Sequence, residues 1–296
     1  MAFEDAFRDL VLEQLKVDST TIQVARENPG RNNYGERNYD AAIIRALDQA
    51  KTPCSTPTLA LWYCYRYLNM HFDQFTEVIN LEVDSFKDQI FSKKGNLLMI
   101  DVGCGPMTSC LAMADYHLKE YGSLINLHYI GIDNMLPMSN KASEFSKRAD
   151  LFGPASTFLF FDSWASCNPS SLKDKVSKDG TLIINFSFFF GQPGIESSHA
   201  AELALFVRQV MTACQLKDMF VVFLNVDTTD YALTQQRYFE FRNHLGWKNL
   251  PYRIAQYRSF FPKEVGAVKD FIDPKPFRYL LVKATLVDTT KKPVET

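Results

Sequence analysis

Apolar residues recur at three- and four-residue steps through the first third of the chain, the spacing of helices with one buried face. This spacing predicts four helices, over residues 3–17, 39–50, 57–79 and 83–91. Thr56 followed by Pro57 favours a helix start, because threonine caps the first turn and proline fits its backbone. The stripe along the third helix is mostly aromatic and predicts core packing for Trp62, Tyr65, Leu68, Phe72, Phe75 and Ile79.

A polar stretch rich in asparagine and glycine separates the first two predicted helices, at residues 27–38. Its many helix-breaking residues predict a long loop. Two interpretations stay open. The segment is either a plain linker or a lid over a functional site, in which Arg31, Tyr34 and Arg37 contact a substrate.

The pattern changes near residue 96, where short apolar runs begin to alternate with amphipathic segments. The runs predict strands over residues 97–102, 127–132, 156–161, 180–190, 219–226, 252–260 and 277–286. The intervening segments predict helices over residues 109–121, 138–151, 197–214 and 231–245, and residues 262–276 read as a connector. Alternation of strand and helix indicates an α/β fold with a mostly parallel sheet. We expect a helical N-terminal cap over 1–95, an α/β domain over 96–287 and a flexible tail over 288–296.

Composition narrows the class of protein. Hydrophobic residues make up 46% of the 296, including 24 Phe and 13 Tyr, so a large core can form. A formal net charge of −2 gives no overall signal for nucleic acid or acidic membranes. No apolar run approaches the ~20 residues that span a bilayer, and the N-terminus lacks signal-peptide character. We therefore expect a cytoplasmic protein without a membrane partner. The six cysteines show no zinc-binding spacing, so we expect reduced, buried thiols and no metal.

The first predicted strand ends in a stretch suited to holding a ligand, because residues 101–106 read Asp-Val-Gly-Cys-Gly-Pro. Glycines let a backbone pass close to a ligand, and the amides at a helix start suit a polar or anionic group. Asp101 is placed to orient this loop or to reach a ligand ammonium. A dinucleotide-dependent oxidoreductase needs a third small residue three positions after Gly105. Thr108 stands there, which disfavours that class.

The Asp-x-Gly-x-Gly stretch resembles the first motif of class I S-adenosylmethionine-dependent methyltransferases. The resemblance implies a Rossmann-like, seven-stranded, mostly parallel sheet with helices on both faces and an antiparallel closing pair, preceded here by the helical extension. It also implies S-adenosylmethionine as the cofactor. Met107 stands where many members of the family carry glycine.

The same resemblance suggests where the cofactor binds. Gly103, Cys104 and Gly105 correspond to the loop that holds the methionine end, with Asp101 supporting it. Asp133, followed by Asn134, ends the second predicted strand, where family members bind the ribose hydroxyls. Asp162 and Ser163 follow the third strand, where an aspartate and a backbone amide bind the adenine. Trp164 packs either on the adenine or in the core.

The fourth predicted strand supplies the candidate catalytic residues Asn185, Ser187 and Phe188. In the family, its carboxyl end lies beside the donor methyl group. Asn185 and Ser187 can orient a nucleophile by hydrogen bonds, and Phe188 can form an apolar wall. The alternative is an ordinary buried strand. The prolines found here in many methyltransferases that act on amino groups are absent, so the motif assigns no acceptor.

The sequence thus favours an S-adenosylmethionine-dependent methyltransferase whose acceptor lies under the helical cap. A non-catalytic protein that keeps the fold and binds a cofactor or partner is the alternative. The acceptor stays open between small molecule, RNA and protein. RNA draws some support from a fainter resemblance to methyltransferase-like proteins of the small ribosomal subunit, and from basic and aromatic residues mixed over 237–263. A solvated helix face plus core aromatics explains that mixture equally well. The sequence shows no strong general base, and Tyr34 and His199 are the two candidates for that role.

Overall fold

The structure is a computed structural model that describes residues 2–17, 54–93, 97–176, 179–192, 195–215, 218–226, 231–246, 253–262 and 269–285. Several predictions lie outside these residues. They concern the helix over 39–50, the loop over 27–38 with its lid interpretation, and the tail over 288–296.

Three helices and a short 3-10 helix, Phe91–Lys93, make up the described N-terminal part. Helix α1 consists of Ala2–Phe7, Arg8–Leu12 and Glu13–Val17, helix α2 of Pro57–Tyr63, Cys64–Leu68 and Asn69–Leu81, and helix α3 of Ser85–Ile90. The Thr56 hydroxyl accepts a hydrogen bond from the Leu59 amide at 3.2 Å, so the predicted cap is confirmed. The six residues of the predicted α2 stripe are all buried in the core.

Seven strands form one sheet, and four further helices connect them. The strands are β1 (Leu97–Val102), β2 (His128–Ile132), β3 (Thr157–Phe161), β4 (Thr181–Ser187), β5 (Asp218–Val226), β6 (Arg253–Pro262) and β7 (Lys269–Thr285). The helices are α4 (Thr108–Tyr121), α5 (Leu136–Ser146), α6 (Ser197–Ala213) and α7 (Tyr231–Leu245).

The strand order is β3-β2-β1-β4-β5-β7-β6. Neighbours from β3 to β5 pair in parallel, whereas β7 pairs antiparallel with both β5 and β6. The predicted α/β fold is confirmed. Five of the seven strands, β1 to β5, pair in parallel, and β6 and β7 form an antiparallel pair at one edge. Parallel neighbours need a crossover helix, which the short β6–β7 connection cannot provide.

Strand β7 begins earlier than predicted. Residues 269–276, expected to belong to a connector, pair with β6. The prolines of this segment misled the prediction, because proline lacks the N–H that a central strand needs. Pro276 pairs with Gln256 of β6, while pairing with β5 starts only at Phe277. One side of this segment therefore has no β5 partner, and proline is tolerated there.

Alternate side chains of the central strands enter two cores, one on each face of the sheet. Leu97 and Met99 of β1 pack with α1, α2 and α4, whereas Leu98 and Ile100 pack with α6 and α7. This alternation follows from the two-residue repeat of a strand. It confirms the prediction of helices on both faces. None of the described helices is long and apolar enough to cross a membrane.

Candidate functional site

The site lies where the sheet topology reverses, between β1 and β4. From β1 the chain proceeds to β2 and β3 on one side, and from β4 to β5 on the other. Ligands of open α/β sheets bind at such switch points, outside the carboxyl ends of the strands. A cavity of about 30 Å³ lies there, with room for a water molecule or two. Its walls come from the glycine loop (residues 103–106), from the end of β4 and from α2.

The glycine loop turns sharply after β1. Gly103 and Gly105 have φ angles of +71° and +50°, a left-handed conformation that glycine adopts without steric cost. Met107 also takes this conformation, with a φ of +57°, and its side chain is buried. Methionine thus holds the backbone shape at the position where many family members have glycine. The amides of Gly103 and Cys104 both donate to the Ile132 carbonyl, at 2.8 and 3.1 Å, which ties the loop to β2.

Asp133 joins the turn after β2 to the glycine loop. Its Oδ2 accepts a hydrogen bond from the Gly105 amide, and its Oδ1 accepts one from the Met135 amide, each at 2.8 Å. Burial raises the pKa of the Asp133 carboxyl above its usual value, although both amide hydrogen bonds oppose that rise. A carboxylate has about four lone-pair positions. Two are therefore left for further hydrogen-bond donors, and Asp133 does not itself line the cavity. Asn134 follows as an exposed residue.

Asp101 lies at the end of β1, directly beneath the glycine loop, and only 2% of its surface is exposed. Its carboxylate accepts hydrogen bonds from the Asn185 amide at 2.7 Å and the Tyr129 hydroxyl at 3.0 Å. Burial raises the pKa of Asp101 to about 6, and the two hydrogen bonds only partly offset this rise. The side chain lines the cavity, where a cationic group can pair with it.

Asn185 supports the cavity from below. It pairs in register with Asp101 on the neighbouring strand, is completely buried, and does not line the cavity. Its amide nitrogen donates to Asp101 and to the Ser109 hydroxyl at 2.9 Å, and its oxygen accepts from the Ser187 hydroxyl at 2.8 Å. Of the three predicted catalytic residues, Ser187 and Phe188 therefore line the cavity, while Asn185 holds Ser187 in position.

The residues predicted to bind adenine lie further along the carboxyl edge. Asp162 and Ser163 follow β3, two strands away from β1, and neither lines the cavity. Asp162 is exposed, and its carboxylate accepts hydrogen bonds from Ser166 at 2.5 Å and Ser163 at 3.3 Å. These hydrogen bonds, first that from Ser166, lower the pKa of Asp162. Trp164 packs edge-on against Phe189, with ring centroids 6.2 Å apart.

Helix α2 contributes side chains that sequence reasoning missed. Tyr63, Tyr67 and His71 follow one another at four-residue steps, and Tyr63 and His71 line the cavity. His71 stacks on Phe188 with ring centroids 3.8 Å apart and an interplanar angle of 19°. Burial lowers the pKa of the His71 imidazole to about 3, so the ring is neutral near pH 7. A second aromatic stripe, beside the core stripe of the same helix, was the signal available in the sequence.

The cysteines behave as packing residues. All six are free and buried, and burial raises the pKa of Cys104 well above its usual value. Cys104 fills the space over Gly131, where an added Cβ would lie 2.8 Å from its sulfur. Among the described residues, no group of three or more His, Cys, Asp or Glu side chains could hold a metal ion.

The described side chains of the basic and aromatic stretch over 237–263 make contacts within the fold. Arg237 donates to the carbonyls of Phe190 and Gln192 at 3.0 and 3.3 Å. Tyr238 and Phe241 are completely buried. These side chains therefore follow the core interpretation rather than the one that involves RNA.

No protein-family model and no curated protein matches the sequence. Solved structures do resemble the chain at low identity. Magnesium protoporphyrin IX methyltransferase from Synechocystis PCC 6803, crystallised with SAH, is 12% identical, and the match covers 90% of this chain and 100% of that one, with a TM-score of 0.38. A class I S-adenosylmethionine-dependent methyltransferase from Listeria monocytogenes, so described, is 15% identical over 87% and 71%, with a TM-score of 0.38.

An RNA methyltransferase from Pyrococcus horikoshii, so described, is 10% identical, with 84% of this chain and 98% of that one covered and a TM-score of 0.37. The solved structures that the chain resembles include the class indicated by its glycine motif, the class I S-adenosylmethionine-dependent methyltransferases.

Proposed function

We propose that this protein binds S-adenosylmethionine and transfers its methyl group to an acceptor held under helix α2. The observation that carries the proposal is the hydrogen bond between the Asp133 carboxylate and the Gly105 amide at the switch point of the sheet. This bond places an acidic side chain beside a left-handed glycine turn, with Asp101 beneath both. In this proposal residues 96–287 form the cofactor-binding domain and residues 1–95 the cap. The cytoplasmic location stays a prediction.

The polar groups of the site match those of the cofactor. The free lone pairs of Asp133 suit the two ribose hydroxyls, because carboxylate oxygens accept strong hydrogen bonds. Asp101 supplies a negative charge for the ammonium of the methionine end, and the backbone of Gly103 and Gly105 leaves room for close approach. The cavity of about 30 Å³ is smaller than the methionine end, so Tyr63 must move outward on binding.

The adenine end extends along the carboxyl edge toward β3 in this proposal. Asn134 follows Asp133 at the end of β2, and Asp162 and Ser163 lie at the end of the neighbouring strand β3. Asp162 accepts from the adenine amino group, and the Ser163 amide donates to the ring. The exposure of Asp162 leaves its carboxylate accessible for this contact.

Catalysis in this site depends on positioning. When bound, the cofactor supplies a methyl carbon made electrophilic by the adjoining sulfonium. The protein aligns the acceptor with that carbon and excludes water, which can supply several kcal/mol of a barrier, roughly 7–11 in favourable cases. Ser187 is the hydroxyl of the site that reaches the cavity from β4. Asn185 fixes its orientation through their 2.8 Å hydrogen bond.

Substitution of Asp133 tests the proposal. Calorimetric titration with S-adenosylhomocysteine should give binding to the wild type, and Asp133→Asn should weaken it by about 5- to 150-fold. That range corresponds to the roughly 1–3 kcal/mol cost of a lost buried hydrogen bond. The control is Asp174→Asn, which changes an exposed carboxylate that does not line the cavity and should leave affinity unchanged.

Absence of S-adenosylhomocysteine binding in folded wild-type protein would refute the proposed function. Equal weakening by both variants would show that Asp133 does not contact the ligand. Binding without methyl transfer to any acceptor would support the alternative, a non-catalytic protein that keeps the fold.

A further inference from the structure

Phe188 lines the cavity, and its backbone is tied to the neighbouring strand β5. It directly follows β4, and its amide donates to the Leu224 carbonyl at 2.7 Å. Its φ angle is +61°, a left-handed conformation that a bulky residue rarely adopts. Such backbone strain persists only where the surroundings enforce it, and it concentrates at functional sites. One face of the Phe188 ring is covered by the His71 imidazole.

His71 is held differently from Asp101 and Ser187, two other polar residues of the cavity. Within the described part of the chain, its imidazole contacts the rings of Tyr63, Tyr67 and Phe188 and makes no hydrogen bond. Asp101 and Ser187, by contrast, are both tied into the network around Asn185. A side chain held by stacking alone is the one that a ligand can displace most readily.

The chemistry of His71 indicates what can replace it. Burial keeps the pKa of its imidazole near 3, so at neutral pH the ring is a flat, uncharged nitrogen heterocycle. Asp101 is the acidic residue of the cavity wall, and no lysine or arginine is among the described residues that line it. The described cavity wall supplies no cation for an anionic ring, and such a ring would meet the Asp101 carboxylate whenever no cofactor ammonium pairs with it. The site therefore favours an uncharged ring.

The volume of the cavity indicates that a bound ring replaces a side chain and does not fill empty space. The cavity of about 30 Å³ accommodates water but not an aromatic ring. A ring that binds beside Ser187 must therefore take the volume of an existing side chain. The His71 ring already occupies the stacking position on Phe188, at a centroid distance of 3.8 Å.

We propose that the methyl acceptor is a flat, uncharged nitrogen heterocycle that stacks on Phe188 in the place taken by the His71 imidazole in this structure. This inference rests on the proposed function and names the acceptor class of the same site. In this proposal the His71 ring occupies the acceptor subsite until the acceptor displaces it. Phe188 stays in place and provides the surface on which either ring stacks.

Three matched probes test the inference on the full chain by calorimetric titration, with and without S-adenosylhomocysteine. Pyridine-4-carboxamide is flat and uncharged, cyclohexanecarboxamide replaces its ring with a saturated one, and pyridine-4-carboxylate carries a negative charge. The variants are His71→Ala and Phe188→Leu. The control is His117→Ala, since His117 packs against Tyr121 at 4.7 Å, away from the cavity.

The flat amide should bind about 2- to 12-fold more tightly than the saturated amide, the factor that an aromatic pair contributes. The anion should bind more weakly than the flat amide. His71→Ala should strengthen binding of the flat amide by a similar factor, because the competing ring is gone. Phe188→Leu should abolish the preference for the flat ring, and the control should behave as wild type.

A second measurement follows binding in the wild-type protein and needs a variant only to assign the signal. The chain has five histidines, and the ring-proton NMR signal of His71 is identified by its loss in His71→Ala. Stacking on Phe188 shifts this signal in the free protein. Addition of the flat amide should move it toward the position of an unstacked histidine, whereas the saturated amide should not.

Several results would overturn the inference while S-adenosylhomocysteine still binds. They are equal affinity for the flat and saturated amides, unchanged or weaker binding of the flat amide to His71→Ala, and a His71 signal that the flat amide does not move. If the ring probes behave as expected but S-adenosylhomocysteine does not bind, the ring subsite stands and the proposed function fails.

Discussion

Asp101 is a carboxylate with almost no access to water, placed between two strands and the glycine loop. Burial of a charge is costly unless partners compensate. The Asn185 amide and the Tyr129 hydroxyl supply two hydrogen bonds, and the pKa nevertheless rises to about 6. Holding a negative charge at this point therefore costs folding stability, as expected of a group kept for a ligand.

The pH dependence of unfolding should show this cost. The pKa of Asp101 is about 6 in the folded chain and about 3.9 when unfolded, so the folded state binds the proton more tightly. The resulting stability is present below pH 4 and is lost as the pH rises through 6. The variant Asp101→Asn has no carboxyl at this position and therefore lacks this pH dependence. Between pH 4 and pH 7.5, the unfolding free energy of the variant should rise relative to that of the wild type by up to about 3 kcal/mol.

Urea unfolding at both pH values measures this difference, and other carboxyls cancel because they titrate alike in both proteins. A difference that does not change with pH would show that Asp101 titrates normally in the folded chain.

Among the secondary-structure elements, α1 and α5 are joined by a buried lysine. The Lys141 ammonium is only 5% exposed and donates to the Leu10 carbonyl at 3.2 Å, to Gln14 at 2.7 Å and to Glu144 at 2.6 Å. Nearby, Arg148 of the same region pairs with Asp9 of α1 at 2.7 Å. Helix α5 starts three residues after Asp133. The N-terminal helix is therefore attached to the element that follows the proposed ribose site.

Lys141→Met should loosen α1, because it keeps most of the aliphatic volume but removes the charge and three hydrogen bonds. The loss should be about 1–3 kcal/mol, and amides of α1 should exchange hydrogen faster. Hydrogen exchange with peptide-level resolution measures both. The matched control, Lys87→Met, removes a lysine that pairs with Glu120, both side chains being exposed, and should leave the exchange of α1 nearly unchanged. Equal protection of α1 in both variants would contradict the prediction.

At the scale of the whole molecule, the site combines segments that are far apart in the chain. Asp101 and Asn185 are 84 residues apart and share a hydrogen bond, and His71 reaches Phe188 from a helix that precedes the sheet. The parallel pairing of β1 with β2 and β4 brings the strand ends together. Helix α2 then closes the cavity from the face that also holds α1 and α4.

A ligand bound across these segments should stabilise the whole fold. S-adenosylhomocysteine at 100 times its dissociation constant should raise the unfolding free energy by about 2.7 kcal/mol, because it binds only the folded state. Thermal unfolding with increasing ligand measures the effect. Asp133→Asn should show a smaller shift at the same ligand concentration. A melting temperature that does not depend on ligand would count against the site.

Local patterns in the sequence predicted most elements. The helix from 231 to 245, the cap at Thr56 and the core stripe of α2 all agree with the structure, because periodicity and capping depend on neighbouring residues. The strand start at Lys269 was missed, because proline tolerance there depends on which neighbour each segment of β7 has. The pairing partner is not a local property.

Residue order alone was therefore enough to predict the alternation of strands and helices, the glycine turn and the acids near the carboxyl ends of β1, β2 and β3. These features follow from side-chain periodicity and from glycine's conformational freedom, which act within a few residues. Tertiary packing was needed to show that Asn185 supports the cavity from below and that Tyr63 and His71 cover it. Periodicity shows which face of an element is buried, whereas packing across the sheet decides what that face meets.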